Sequence, residues 1–239
     1  MEKIQYALWK KAAQEADAFR DELLQQVAQP LCDVPGVHGI RLCVADSAVA
    51  PANGRRMQSA PSVPDAMLSL WVDDAGAAAN WEPLIDGHVQ RRNGYLVTEA
   101  EPLINQQAHP TRPGDRMYGM CHVVFMSHPQ SQTTEEWFSV WKDSHTEVAI
   151  ETQSTFGYRQ NVVVRLLGED TPHCHAIVEE NFPPEAMTDD HAFYATGGDE
   201  AVLQKHMTAM MESCSRFIDF ERIDVIPMSE YPVKLLHSG

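Results

Sequence analysis

One order of secondary structure runs through this chain twice. Alternating and apolar-periodic stretches predict strands at Ile4–Trp9, Val37–Ala45, Ala66–Val72 and Tyr95–Glu101, with helices at Gln14–Gln29 and Gly76–Val89. After a linker rich in proline and polar residues, Asn105–Arg116, the order βαββαβ returns. Its strands are Tyr118–Met126, Phe156–Leu166, His173–Glu180 and Glu221–Ile226, and its helices Thr134–Ile150 and Asp199–Phe217. The last strand of each unit is expected to stop at a proline, Pro102 and Pro227. Such a unit forms a four-stranded antiparallel sheet with both helices on one face, the ferredoxin-like arrangement. The other sheet face is left bare and must be buried. The expectation is an α+β chain of two tandem ferredoxin-like units, 1–104 and 117–239, with their sheets packed face to face.

The second unit concentrates the chemistry. Thr133 with Glu136 reads as a capping box. Trp137, Trp141, His145 and Val148 then recur at helical spacing on one face. A histidine there is either a satisfied core residue or a general acid/base in an apolar pocket, where burial tunes it. At the following strand, Tyr158 and Gln160 share one face, Arg159 and Asn161 the other. Gln160 or Asn161 could orient the imidazole or bind a substrate oxygen; the alternative is a polar pair capping strand backbone. Glu179 is placed on one face with His175 and Ile177, as a second acid/base or as half of an ion pair.

The run TxEEWFxxWKDxH, then GYRQN, then HAIVEENF, resembles the EthD-like proteins of the dimeric α/β-barrel superfamily, over Met117–Met228. The matching positions are Trp141, Lys142, Asp143, His145, Tyr158, Gln160, Asn161, Glu179 and Phe182, while Asn181 stands where that family often has tryptophan. The resemblance implies an intrachain version of the barrel that two subunits otherwise build. It places a pocket between the Thr134–Ile150 helix and the sheet, with His145, Asn161 and Glu179 catalytic and Trp137, Trp141, Tyr158, Gln160 and Phe182 against the substrate. The implied activity is that of a cofactor-independent isomerase, cyclase or lyase in catabolism or secondary metabolism. A non-catalytic accessory protein of a degradation pathway, and a haem protein with His145 as axial ligand, are the rival readings. The first unit lacks the Trp/Trp/His set. Laying it onto the second with Phe19 on Phe138 puts Gln26 at His145, so the first unit is read as completing the barrel.

Charge and cysteines narrow the classes further. A formal net charge of −16 with no basic stripe disfavours nucleic acid and anionic membranes. Five cysteines without CxxC spacing fit reduced thiols, and the N-terminus has no apolar signal core, which gives a cytoplasmic expectation. No apolar run approaches the roughly 18 residues of a membrane helix. His173, Cys174 and His175 look metal-like, but strand alternation turns Cys174 away from its neighbours, and no metal is expected. Cofactors are likewise expected to be none, since no GxGxxG, P-loop or GxSxG occurs. Methionines crowd the second half, which with the tryptophans suggests a hydrophobic, aromatic small molecule as partner. A homodimer of the two-unit chain is compatible with this. The loop Ser47–Pro64 is either mobile or covers a pocket, and the tail SEYPVKLLHSG either packs Tyr231, Leu235 and Leu236 or frays.

Overall fold

The computed structural model describes residues 1–236. Its strands are β1 Glu2–Trp9, β2 Val37–Val44, β3 Ala66–Val72, β4 Arg91–Leu103, β5 Met120–Met126, β6 Gly157–Leu167, β7 Ala176–Phe182 and β8 Ile223–Lys234. All pair antiparallel and close into one barrel, β1-β3-β2-β8-β5-β7-β6-β4. Each half contributes its strands in the order fourth, first, third, second. One chain thus supplies the whole α+β barrel.

The halves are joined by their last strands. β4 pairs with β1 and, through Gly94 to Leu103, with β6. β8 pairs with β5 up to Met228 and with β2 from Ser229 to Lys234. Both strands run past the prolines expected to end them. A proline removes one ladder donor, and at Pro102 the register shifts between Ala100 and Leu103. β8 changes partner from β5 to β2 after Met228, and the ladder pairs flanking Pro227 and Pro232 carry it through both. Tyr231 and Val233 therefore enter the first half's core, whereas Leu235 and Leu236 are exposed. The last three positions of the tail, 237–239, lie outside the described residues. The linker is also pinned. Asn105 is buried and donates to Asn181 Oδ1 and Glu230 Oε1, both at 2.9 Å.

Alternation sorts each strand into two faces. Ile4, Tyr6 and Leu8 point outward beneath the first half's helices, and Val124, Met126, Val178 and Val225 beneath the second's. Ala7, Cys43, Cys121, Val123, Ile177 and Ile226 fill the barrel interior.

The two long helices share a device. The first, residues 16–31, contains a π-helical stretch Leu23–Ala28; the second, residues 134–152, contains Ser139–His145. Their buried residues fall at steps of four: Phe19, Leu23, Val27 and Leu31, then Trp137, Trp141, His145 and Ala149. In a pure α-helix such a row drifts by about 40° per step; the wider π turn takes up the drift. These rows set Val27, not Gln26, at the place of His145. Gln26 is exposed, and Phe138 is the half-buried neighbour of the residue that matches Phe19, so the sequence overlay was one position out. The Gly76–Val89 helix is also shorter than expected. A 3-10 stretch Ala75–Asn80 precedes a helix Glu82–Asp86, because Pro83 fits only a first turn.

Candidate functional site

Between the second half's helices and the outer face of its sheet lies a cavity of about 710 Å³. Val124, Met126, Val178 and Val225 form its floor. Met207, Met210, Met211 and Phe217 form the wall on the helix Glu200–Ser215 and just beyond it. Gly54 to Met57, from the first half, cross its mouth, so the 47–64 loop does cover a pocket.

Among the polar side chains of this lining are His145, Tyr158, Glu180 and His122. His145 closes the π turn and is 7% exposed. Its Nδ1 lies 2.9 Å from Ser213 Oγ, and its ring packs on Phe217 at 4.5 Å between centroids. With Nδ1–H donating to Ser213, Nε2 is left as an acceptor. Burial, then the Arg216 guanidinium, pushes His145 down to about 4, so it is neutral at pH 7. Tyr158 accepts a hydrogen bond from Trp141 Nε1 at 3.1 Å and lies beside Gln160 and Thr146. Burial raises its pKa.

Two further groups were missed by the sequence reading. Glu180 lies across the β6–β7 ladder from Tyr158 and across the β5–β7 ladder from His122. All three line the cavity. Glu180 makes no hydrogen bond or ion pair among the described residues, and burial pushes it up to about 7. His122 is 5% exposed, its Nε2 is buried without a partner among the described residues, and burial followed by the Arg55 cation pushes it down to about 3. Alternation held the signal: Ala176, Val178, Glu180 and Phe182 form one face of β7, as Met120, His122, Val124 and Met126 do on β5.

The remaining expected site residues separate. Trp141 lines the cavity; Trp137 stacks behind it at 5.0 Å and donates to Phe217 O at 3.1 Å. Gln160 faces outward but binds Thr146 Oγ1 at 2.7 Å, bracing the helix just after the π turn. Phe182 packs on Phe193 and His122, a layer behind the cavity. Asn161 and Glu179 are on the opposite face of the sheet, inside the barrel. Asn161 Oδ1 accepts from Lys3 Nζ at 2.7 Å, and its Nδ2 donates to Glu179 Oε2 at 3.3 Å. Glu179 also lies 3.5 Å from Lys3 and 3.8 Å from Arg41. Strand alternation therefore keeps both away from His145. His175 does not share the face of Glu179 either, since β7 begins only at Ala176. Its ring lies 4.0 Å from His128 and 4.4 Å from His173, while Cys174 turns into the barrel.

Among the described residues, the group placed to hold a metal is Cys43, Cys121 and Glu230, in the barrel interior. Glu230 is already taken by Arg159 at 3.1 Å, Arg41 at 3.3 Å and Asn181 at 2.8 Å. These cations outweigh burial and bring it down to about 2. A metal would have to displace them. No helix among the described residues is long and apolar enough to cross a membrane.

No protein-family model matches the chain. No curated protein is similar to it in sequence. Among solved structures, one described as an anthrone oxidase-like protein is similar at a TM-score of 0.57 and 10% identity, over 100% of this chain and 96% of that one. A putative chlorite dismutase matches at 0.48 and 9%, over 97% and 94% of the two chains. A putative monooxygenase from Fusobacterium nucleatum subsp. nucleatum matches at 0.49 and 9%, over 100% and 94%. At these identities the likeness is one of fold, and the anthrone oxidase-like protein carries it.

Proposed function

We propose that this chain is a cofactor-independent small-molecule enzyme, EthD-like in kind, that moves a proton on a hydrophobic carbonyl compound. The neighbours' descriptions as oxidase-like and monooxygenase proteins are compatible with a small-molecule enzyme. The observation that carries the reading is that Glu180, His122, Tyr158 and His145 open together on one apolar cavity. Abstraction of a proton next to a carbonyl needs a base poised near neutrality. Glu180, pushed up to about 7, has that poise. Tyr158, which lines the cavity, is the donor for the developing oxyanion in this reading. His145, neutral and fixed by Ser213, supplies a second proton-accepting atom. Asn161 and Glu179 serve in this reading to stiffen the barrel. We retain the two-unit division, 1–104 and 117–239, with the first as the barrel-completing unit.

The test uses anthrone, the compound class in the neighbour's description, and a panel of aryl ketones in D₂O. Loss of the proton signals next to the carbonyl system is followed by NMR. Wild type is expected to exchange them faster than buffer, and Glu180→Gln to fall back toward buffer. If wild type matches buffer across the panel while still binding its members, the ligand-holding reading replaces the enzymatic one.

A further inference from the structure

The strip of the first half that crosses the cavity mouth is fastened on both sides of one residue. Met57 exchanges two backbone hydrogen bonds with Val225, at 3.1 and 2.9 Å. The N–H groups of Ser59 and Ala60 donate to Asp224 Oδ1 at 2.6 and 3.0 Å. Arg55 is fully engaged: it lies 2.5 Å from Asp190 Oδ1, donates to Ala186 O at 3.1 Å, and covers the Phe193 ring at 4.6 Å. Arg56, next to it, is half-buried and lines the cavity, and its backbone N–H donates to Asn53 O at 3.2 Å, yet its guanidinium makes no ion pair or hydrogen bond among the described residues. It also borders an adjoining depression with Glu15, Asp17 and Asp46. Asp17 and Asp46 are already bound by Ser47, Arg20, Ser229 and Tyr231, and Glu15 is exposed.

A spare guanidinium held in place at a cavity mouth is unusual in a chain of net charge −16, where carboxylates far outnumber cations. The other charged groups lining the cavity are Arg55, Glu180 and Glu212. Glu212 is exposed, so solvent and salt screen it. Guanidinium geometry matches a carboxylate or sulfonate with two parallel hydrogen bonds. We propose that Arg56 is the anion-reading residue of this cavity, whose ligand is an apolar acid. Its hydrophobic body lies against the methionine wall and its anionic group sits at the mouth on Arg56. This rests on the cavity being the substrate site.

Two fluorescent probes with the same aromatic body test it: 1-anilinonaphthalene-8-sulfonate, which is anionic, and N-phenyl-1-naphthylamine, which is neutral. Wild type is expected to bind the sulfonate more tightly. Arg56→Gln should lose about tenfold in sulfonate affinity, the order of one charge-assisted contact, and keep its affinity for the neutral probe. Arg56→Lys should restore part of the loss. The cavity-filling Val178→Phe should abolish both signals, which locates the probes. Equal loss of both probes in Arg56→Gln would make Arg56 a mere wall and overturn the proposal. So would a wild type indifferent to the sulfonate, with the substrate site left standing. Binding of neither probe would remove the substrate site itself and this inference with it.

Discussion

Glu180 lies directly across the β5–β7 ladder from His122, and both side chains open into the same apolar cavity. Side chains opposed in this way have Cβ atoms about 4.5–5.5 Å apart. Burial pushes the carboxyl up to about 7 and the imidazole down to about 3. One cause gives opposite signs because the charged form is the deprotonated one for glutamate and the protonated one for histidine. Near neutral pH the carboxyl is therefore about half ionised beside a neutral imidazole, and Glu180 is the one of the two that exchanges a proton at little cost.

Glu180→Gln should lower the anthrone exchange rate by roughly 10²–10⁴-fold, the usual share of a general base. It should also remove the limb of the wild-type pH–rate profile that rises near pH 7. Stability should move the other way. The folded chain releases this proton at about 7 and the unfolded one at the ordinary 4.5. Between those values the folded state holds the extra proton, so wild-type stability falls as pH rises. The variant should be more stable than wild type at pH 8, by on the order of 1–3 kcal/mol, with the advantage gone at pH 4. Urea melts at the two pH values check this.

His122→Leu should be neutral or stabilising at pH 7, because it removes a buried Nε2 that has no partner among the described residues and keeps contact with Phe182 and Phe193. Its acid response separates it from wild type. His122 titrates at about 3 when folded and at the ordinary 6.5 when unfolded. As pH drops below 6.5 the unfolded state takes up the proton first, and wild type loses stability. The variant should lose less between pH 6.5 and 3, as thermal melts across that range would show.

The barrel was legible because the order βαββαβ, read twice, implies two sheets with one bare face each, and a closed eight-stranded barrel in one chain buries both. The organising helix was legible from its capping box, which the structure forms at Thr133 and Glu136. Two local rules misled. Pro102 and Pro227 read as strand ends, but the ladder pairs flanking each proline carry the strand on past one missing donor. The helix overlay missed Val27 because it laid Phe19 on Phe138, whereas burial pairs Phe19 with Trp137. At the site, family resemblance pointed to Glu179 while alternation along β7 gives the cavity to Glu180. Asn161 and Glu179 look chemical in sequence because buried polar residues look alike, whether they react or hold a barrel together.

That difference is measurable. Glu230→Gln leaves the fully buried Arg159 with only Glu101, and should cost about 3–5 kcal/mol, as for other buried pairs that lose one member. Glu179→Gln should cost less, since Lys3 keeps Glu99 and Asn161, and Arg41 keeps Glu230. Per folded molecule, neither should change the anthrone exchange rate. A loss of exchange in Glu179→Gln without a loss of stability would return that residue to the chemistry.

His145 lines the cavity, and its helix provides the control. His145→Ala removes the contact with Ser213 and the packing on Phe217, so a stability loss of about 1–2 kcal/mol is expected from one hydrogen bond and a small void. The exchange rate should fall by roughly 10²–10⁴-fold if Nε2 carries or positions the proton. Ser213→Ala leaves the imidazole in place without its anchor. It should lower the maximal rate while leaving substrate affinity nearly unchanged, and Ser213→Thr should recover part of the rate. Val27→Ala, at the matching place in the first half, should cost about 1–3 kcal/mol of stability and nothing in rate, because it opens a void in the first half's core, away from the second half's cavity. The exposed Gln26→Ala should change neither. If Val27→Ala and His145→Ala lose stability alike and neither loses rate, the two helices do the same structural work, and the proton is carried by Glu180 and Tyr158 alone.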